Sequence, residues 1–82
     1  MNSSDMLREI LKDIFKNSSI PDDISDLKMG DFDEWDSLGN FNLILAVEQK
    51  FKIQFDMDDI ENMNSVRAIL IGISDAVSKK WH

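Results

Sequence analysis

Positions 36–38, Asp-Ser-Leu, are the part of this 82-residue chain best placed for chemistry, and elimination does much of the work. The single histidine is the last residue, His82. A Ser-His-Asp triad would need its base on the terminus most prone to fraying, which argues against hydrolase chemistry. There is no cysteine, so a disulfide framework, a thiolate nucleophile and a cysteine zinc site are all excluded. The aspartates cluster, but a calcium loop needs acid or amide at its positions 1, 3 and 5 and glycine at 6. From Asp31 those positions read Asp31, Asp33, Trp35 and Asp36; from Asp56 they read Asp56, Asp58, Ile60 and Glu61. Both fail. The glycines, at 30, 39 and 72, make no phosphate-cradling loop.

Asp36 is a good N-cap residue, which puts Ser37 at the first position of a helix with its hydroxyl outside the bundle. A phosphate ester on that hydroxyl would lie beside unpaired backbone N–H groups and the positive end of the helix dipole. A serine after a capping aspartate can equally be nothing more than a helix start. The surroundings must decide.

Those surroundings read as helices. Leu7, Ile10, Leu11, Ile14 and Phe15 form an i, i+3, i+4 stripe, with Asn2, Ser3 and Ser4 available as caps and Asn17-Ser18-Ser19 before Pro21 as a stop. Residues 18–35 have no helical period, yet they carry Ile20, Ile24, Leu27, Met29, Phe32 and Trp35. That is an ordered loop pinned across a core, and its length suggests a function. A second helix is expected from Ser37 to about Lys50. Its run Leu43-Ile44-Leu45-Ala46-Val47 is apolar nearly all round, so it should be covered on several sides and leave an expandable seam with the later helices. Lys52-Ile53-Gln54-Phe55 reads as extended, and Asp56 as the cap of a short helix, Met57 to Met63, that needs tertiary support. Ser65 caps a last helix with Val66, Ile69, Leu70, Ile73, Ala76 and Val77 in phase and Lys79 and Lys80 at its end. The expected fold is all-α: one domain over residues 1–82, a small bundle of three main helices and a short third one, with a long ordered loop between the first two.

The net charge is −7, which argues against nucleic acid as a partner. The excess sits mid-chain, where Asp22, Asp23, Asp26, Asp31, Asp33, Glu34 and Asp36 are answered only by Lys28. Such a surface suits basic protein partners, or serves solubility alone. No apolar run approaches the roughly 18–20 residues of a membrane span, and the first residues form no signal peptide. A cytoplasmic monomer is expected.

The segment from Trp35-Asp36-Ser37-Leu38-Gly39-Asn40-Phe41 through Glu48-Gln49-Lys50-Phe51 to Phe55 resembles the signature region of acyl carrier proteins. The likeness continues through Asp56-Met57-Asp58-Asp59-Ile60, Met63 and Ser65-Val66, and the first helix and long loop match in length and apolar placement. It covers nearly the whole chain. The tripeptide alone would be weak; with its helix, extended segment and short acidic helix it is specific.

The resemblance implies that Ser37 bears a 4'-phosphopantetheine arm donated from coenzyme A, and that the chain itself catalyses nothing. Asp36 would flank the arm, beside its simpler role as a cap. Leu38 would be an apolar contact for partners, and Glu48, Asp58, Asp59 and Glu61 an acidic docking face. Phe41, Leu45, Ala46, Phe55, Ile60 and Ile69 would border the space for an acyl chain, although plain core packing also explains them. No resident metal is implied. The implied partners are a phosphopantetheinyl transferase, an acyl- or aminoacyl-loading ligase, and synthases or transferases with basic docking surfaces.

This sequence departs from the fatty-acid-synthesis pattern. Asn40 and Asn42 stand where an acid is common, Gln49 replaces another, and Lys50 adds a positive charge, while Gly39 and Trp35 resemble carriers of specialised pathways. The expected function is an acyl carrier for fatty acid, polyketide or related specialised synthesis. An aminoacyl or peptidyl carrier, including the D-alanyl type, and a helical adaptor without any arm are the alternatives.

Overall fold

The structure, a computed structural model, describes residues 2–80, without the side chains of Lys79 and Lys80. His82, and the argument that rested on it, lie outside these residues. Four helices follow in order: α1 (Ser3–Ile14), α2 (Ser37–Phe51), α3 (Met57–Ile60) and α4 (Val66–Lys80). The all-α architecture is the one the periodicities imply.

Asn2 starts α1, its Oδ1 accepting the Asp5 N–H at 2.8 Å. The stripe of Leu7, Ile10 and Leu11 is buried, and Phe15 continues it just past the helix end. α1 packs on both α2 and α4. Ser65 caps α4 through an Ala68 N–H to Oγ bond of 3.1 Å, and Val66, Ile69 and Ile73 complete the core.

The long loop is pinned as its apolar content requires. Ile24 and Trp35 are fully buried, and Leu27, Met29 and Phe32 pack on the core. An isolated antiparallel bridge joins Lys28 to Ser65: Val66 N–H donates to the Leu27 carbonyl at 2.9 Å, and Met29 N–H to the Asn64 carbonyl at 2.8 Å. Phe15 and Trp35 meet with ring centroids 5.5 Å apart. A pair of this kind contributes about 0.5–1.5 kcal/mol beyond its buried area.

Some local readings change: Lys52, expected in an extended segment, closes α2 in left-handed backbone with φ 57°. α3 spans only Met57–Ile60 and buries none of its residues. Turns carry the chain on to Met63, whose N–H reaches the Ile60 carbonyl. The Asp56 side chain makes no cap bond there; its carbonyl oxygen accepts instead from Asp59 and Ile60. α2 is also less covered than its composition suggests, because Leu38, Phe41 and Leu45 stay 69%, 48% and 43% exposed. Its apolar character exceeds what α1 and the loop can bury, so one stripe remains in water.

Candidate functional site

The start of α2 is built by three neighbours. Asp36 sits in extended backbone, and its Oδ1 accepts the Gly39 N–H at 2.8 Å, while its carbonyl takes the Asn40 N–H at 2.8 Å. Ser37 is thereby the first helical residue, and it is exposed. The N–H groups of Ser37 and Leu38 have no carbonyl one turn earlier in the helix to bond, so an anion on the Ser37 oxygen would lie beside them. An open groove of about 390 Å³ adjoins Ser37, lined by Asp36, Trp35, Asp33, Phe32, Gly30 and Met29.

Gly39 is needed for this geometry. A Cβ at that position would collide with the backbone carbonyl of Glu34 and crowd the Phe15 ring. Only glycine lets the loop pass so close beneath the first turn of α2. Glu34 is itself fixed, its Oε1 accepting the Asn17 N–H at 3.1 Å and the Ser18 hydroxyl at 2.7 Å. The serine is therefore presented on a rigid platform of loop and helix.

Asn40 does not stand on the acidic surface where a missing charge would matter. It is partly buried: Oδ1 accepts the Trp35 indole N–H at 2.9 Å, and Nδ2 donates to the Met63 carbonyl at 3.0 Å. An aspartate could not make the second bond. The signal was present in the sequence, since a buried tryptophan needs a partner for its N–H, but the pairing spans five residues in one direction and 23 in the other.

The remaining expected residues are dispersed. Leu38 is exposed beside Ser37, next to Phe41 and Leu45 at helical spacing. Asp58 and Asp59 on α3, and Glu61 just after it, are exposed. Glu48 lies apart from them and is partly buried, its Oε2 accepting the Phe55 N–H at 2.8 Å. It holds the extended segment after α2, a role the sequence reading missed. Ile69 and Phe55 are buried in the core, and Ile60 packs at its edge. Leu45 lines a cleft with Ile53 and Ala76, Ala46 one with Ile10 and Ile14, and Phe55 one with Met63 and Ile71. None of these clefts joins Phe41 to Ile60 or Ile69. The cleft at Leu45 opens between α2 and Ala76 of α4, away from Phe41.

Among the described residues no group of three or more His, Cys, Asp or Glu side chains could hold a metal ion. No helix among them is long and apolar enough to cross a membrane. No family model matches the chain, and a search of curated proteins returns no match. Its structure is similar, however, to the solution NMR structure of a holo acyl carrier protein from Geobacter metallireducens. The TM-score is 0.82 at 27% identity, over 99% of this chain and 92% of that one. The chain has an acyl-carrier-type fold. That neighbour is a carrier protein rather than an enzyme.

Proposed function

We propose that this protein is an acyl carrier whose Ser37 holds a 4'-phosphopantetheine arm and whose cargo rides on that arm as a thioester. One observation carries the reading: an exposed serine at the first position of α2, capped by Asp36 on a platform that Gly39 makes possible, in a fold like that of a holo acyl carrier protein. The arm would come from coenzyme A through a phosphopantetheinyl transferase, with the new phosphodiester beside the free N–H groups of the first turn. The chain itself performs no bond chemistry; it presents the cargo to partner enzymes in the cytoplasm. Leu38 with Phe41 and Leu45 forms the apolar part of the docking face, and Asp58, Asp59 and Glu61 the charged part.

Incubation with coenzyme A, magnesium and a broad-specificity transferase should add one arm, read by mass spectrometry, and peptide mapping should find it on Ser37. Ser37→Ala should abolish the addition and keep the helical circular-dichroism spectrum. A wild type that stays bare while a control carrier is loaded would refute the reading.

A second reading, an aminoacyl carrier, is favoured by the dispersal of the residues expected to border an acyl cavity. Phe41 shares no cleft with Ile60 or Ile69, which suits short or polar cargo that stays outside. The thioester found on protein isolated from its native cell separates the two.

A further inference from the structure

Ser37, Asn40, Ile44 and Val47 follow one another at steps of three and four, so they line one stripe of α2. The stripe begins exposed at Ser37 and is fully buried by Ile44 and Val47. Asn40 stands at the change-over. A chain hanging from Ser37 and seeking the apolar interior along its own stripe meets this amide first.

Both ends of the amide are engaged. It accepts from the indole of Trp35, which belongs to the loop and is completely buried, and donates to the carbonyl of Met63, which belongs to the turn between α3 and α4. One side chain therefore ties three segments together: the loop, the first turn of α2 and the turn before α4. Swinging the α3–α4 turn away from α2 would part the Met63 carbonyl from the Asn40 amide N–H in surroundings with little water. A buried donor left unpaired is costly in a way that a broken apolar contact of the same size is not. Met63 is itself buried, with its methyl group against Gly72 of α4.

We propose that Asn40 is a specificity-determining latch: its two hydrogen bonds hold α2 against the α3–α4 turn and keep an apolar chain carried on Ser37 out of the interior. The inference rests on the carrier reading above and adds to it a restriction on cargo. Chains on the arm remain in water, open to partner enzymes and to hydrolysis, whatever their length.

The test loads wild type and Asn40→Val with acetyl- or octanoyl-phosphopantetheine from the corresponding coenzyme A esters and compares melting temperatures. In wild type the acetyl and octanoyl forms should melt within about 1 °C of each other. In Asn40→Val, whose starting stability is lower, octanoyl should raise the melting temperature over acetyl by about 4 °C or more, a readable shift for a domain of this size. A residue that merely supported the fold would lower both forms equally and leave the octanoyl increment unchanged. Should the variant fail to fold, wild type alone decides: the ¹⁵N-indole resonance of Trp35 and the side-chain amide of Asn40 should not move between acetyl and octanoyl forms. An octanoyl-dependent melting shift in wild type, movement of those two resonances, or an equal increment in the variant overturns the latch and leaves the carrier reading intact. Absence of any arm on wild type, visible by mass before melting begins, overturns the carrier reading and the latch with it.

Discussion

The α-carbon of Gly39 in the first turn of α2 lies against the backbone carbonyl of Glu34, leaving no space for a side chain between helix and loop. Neither partner can yield easily, since Glu34 is held by Asn17 and Ser18 and Gly39 by the Asp36 cap. Gly39→Ala should therefore destabilise the protein by about 1–3 kcal/mol, despite alanine's better helix propensity. Gly72 is the comparison, because a Cβ there meets chiefly the end of the flexible Met63 side chain. Gly72→Ala should change stability by about 1 kcal/mol or less. Urea denaturation of both variants checks the pair; a Gly39→Ala protein as stable as wild type would contradict the contact.

Glu48 is structural before it is electrostatic. Its carboxylate accepts the Phe55 N–H, so Glu48→Lys should cost about 0.5–1.5 kcal/mol, whereas Glu48→Gln keeps an acceptor and should cost less. Thermal melts of the two variants decide, and equal losses would show that the bond contributes nothing specific.

Asp58 and Glu61 make no such internal bond through their side chains and are exposed. Reversing both to lysine should leave the melting temperature within a few degrees and slow transfer to a native partner enzyme, most clearly at low salt. Each exposed pair contributes only about 0.2–1 kcal/mol, so the double reversal should exceed either single change. Transfer rates measured from low to high ionic strength test this. A double variant as fast as wild type at low salt would assign the acidic surface to solubility.

Two exposed aspartates tie their loop to pH. The Lys28 backbone N–H, donating to Asp31 at 2.9 Å, holds that carboxyl below the ordinary aspartate range. The Ser25 hydroxyl and N–H do the same for Asp23. Both folded values are depressed, so the stabilisation is complete above the ordinary aspartate pKa of about 3.9 and is lost as pH falls below it. Asparagine at both positions keeps an acceptor and cannot titrate. The Asp23→Asn, Asp31→Asn double variant should be slightly less stable than wild type at pH 6, and the gap should close below about pH 4. Stability curves that run parallel across that range would exclude the linkage.

Much of this protein follows from its sequence alone. Apolar spacing at three and four specifies α1, α2 and α4, because a helix places such residues on one stripe whatever lies opposite. Capping chemistry puts Ser37 outside at the head of α2, since an aspartate that accepts the Gly39 N–H can do so only from the position before the helix. Six apolar residues between 18 and 35 announce an ordered loop for the same local reason. What periodicity cannot say is which neighbour covers a stripe. Phe41 and Leu45 look like core and stand in water, because burial depends on where the loop and α3 come to rest. Asn40 and Glu48 look like surface and turn inward, because their partners, Met63 and Phe55, are brought to them only when the chain folds back. Gly39 looks like a weak helix residue and is the close approach on which the site stands. A hydrogen bond or steric contact between segments distant in sequence leaves no period behind it, so the tertiary structure alone decided which polar residues face the solvent and which hold the fold.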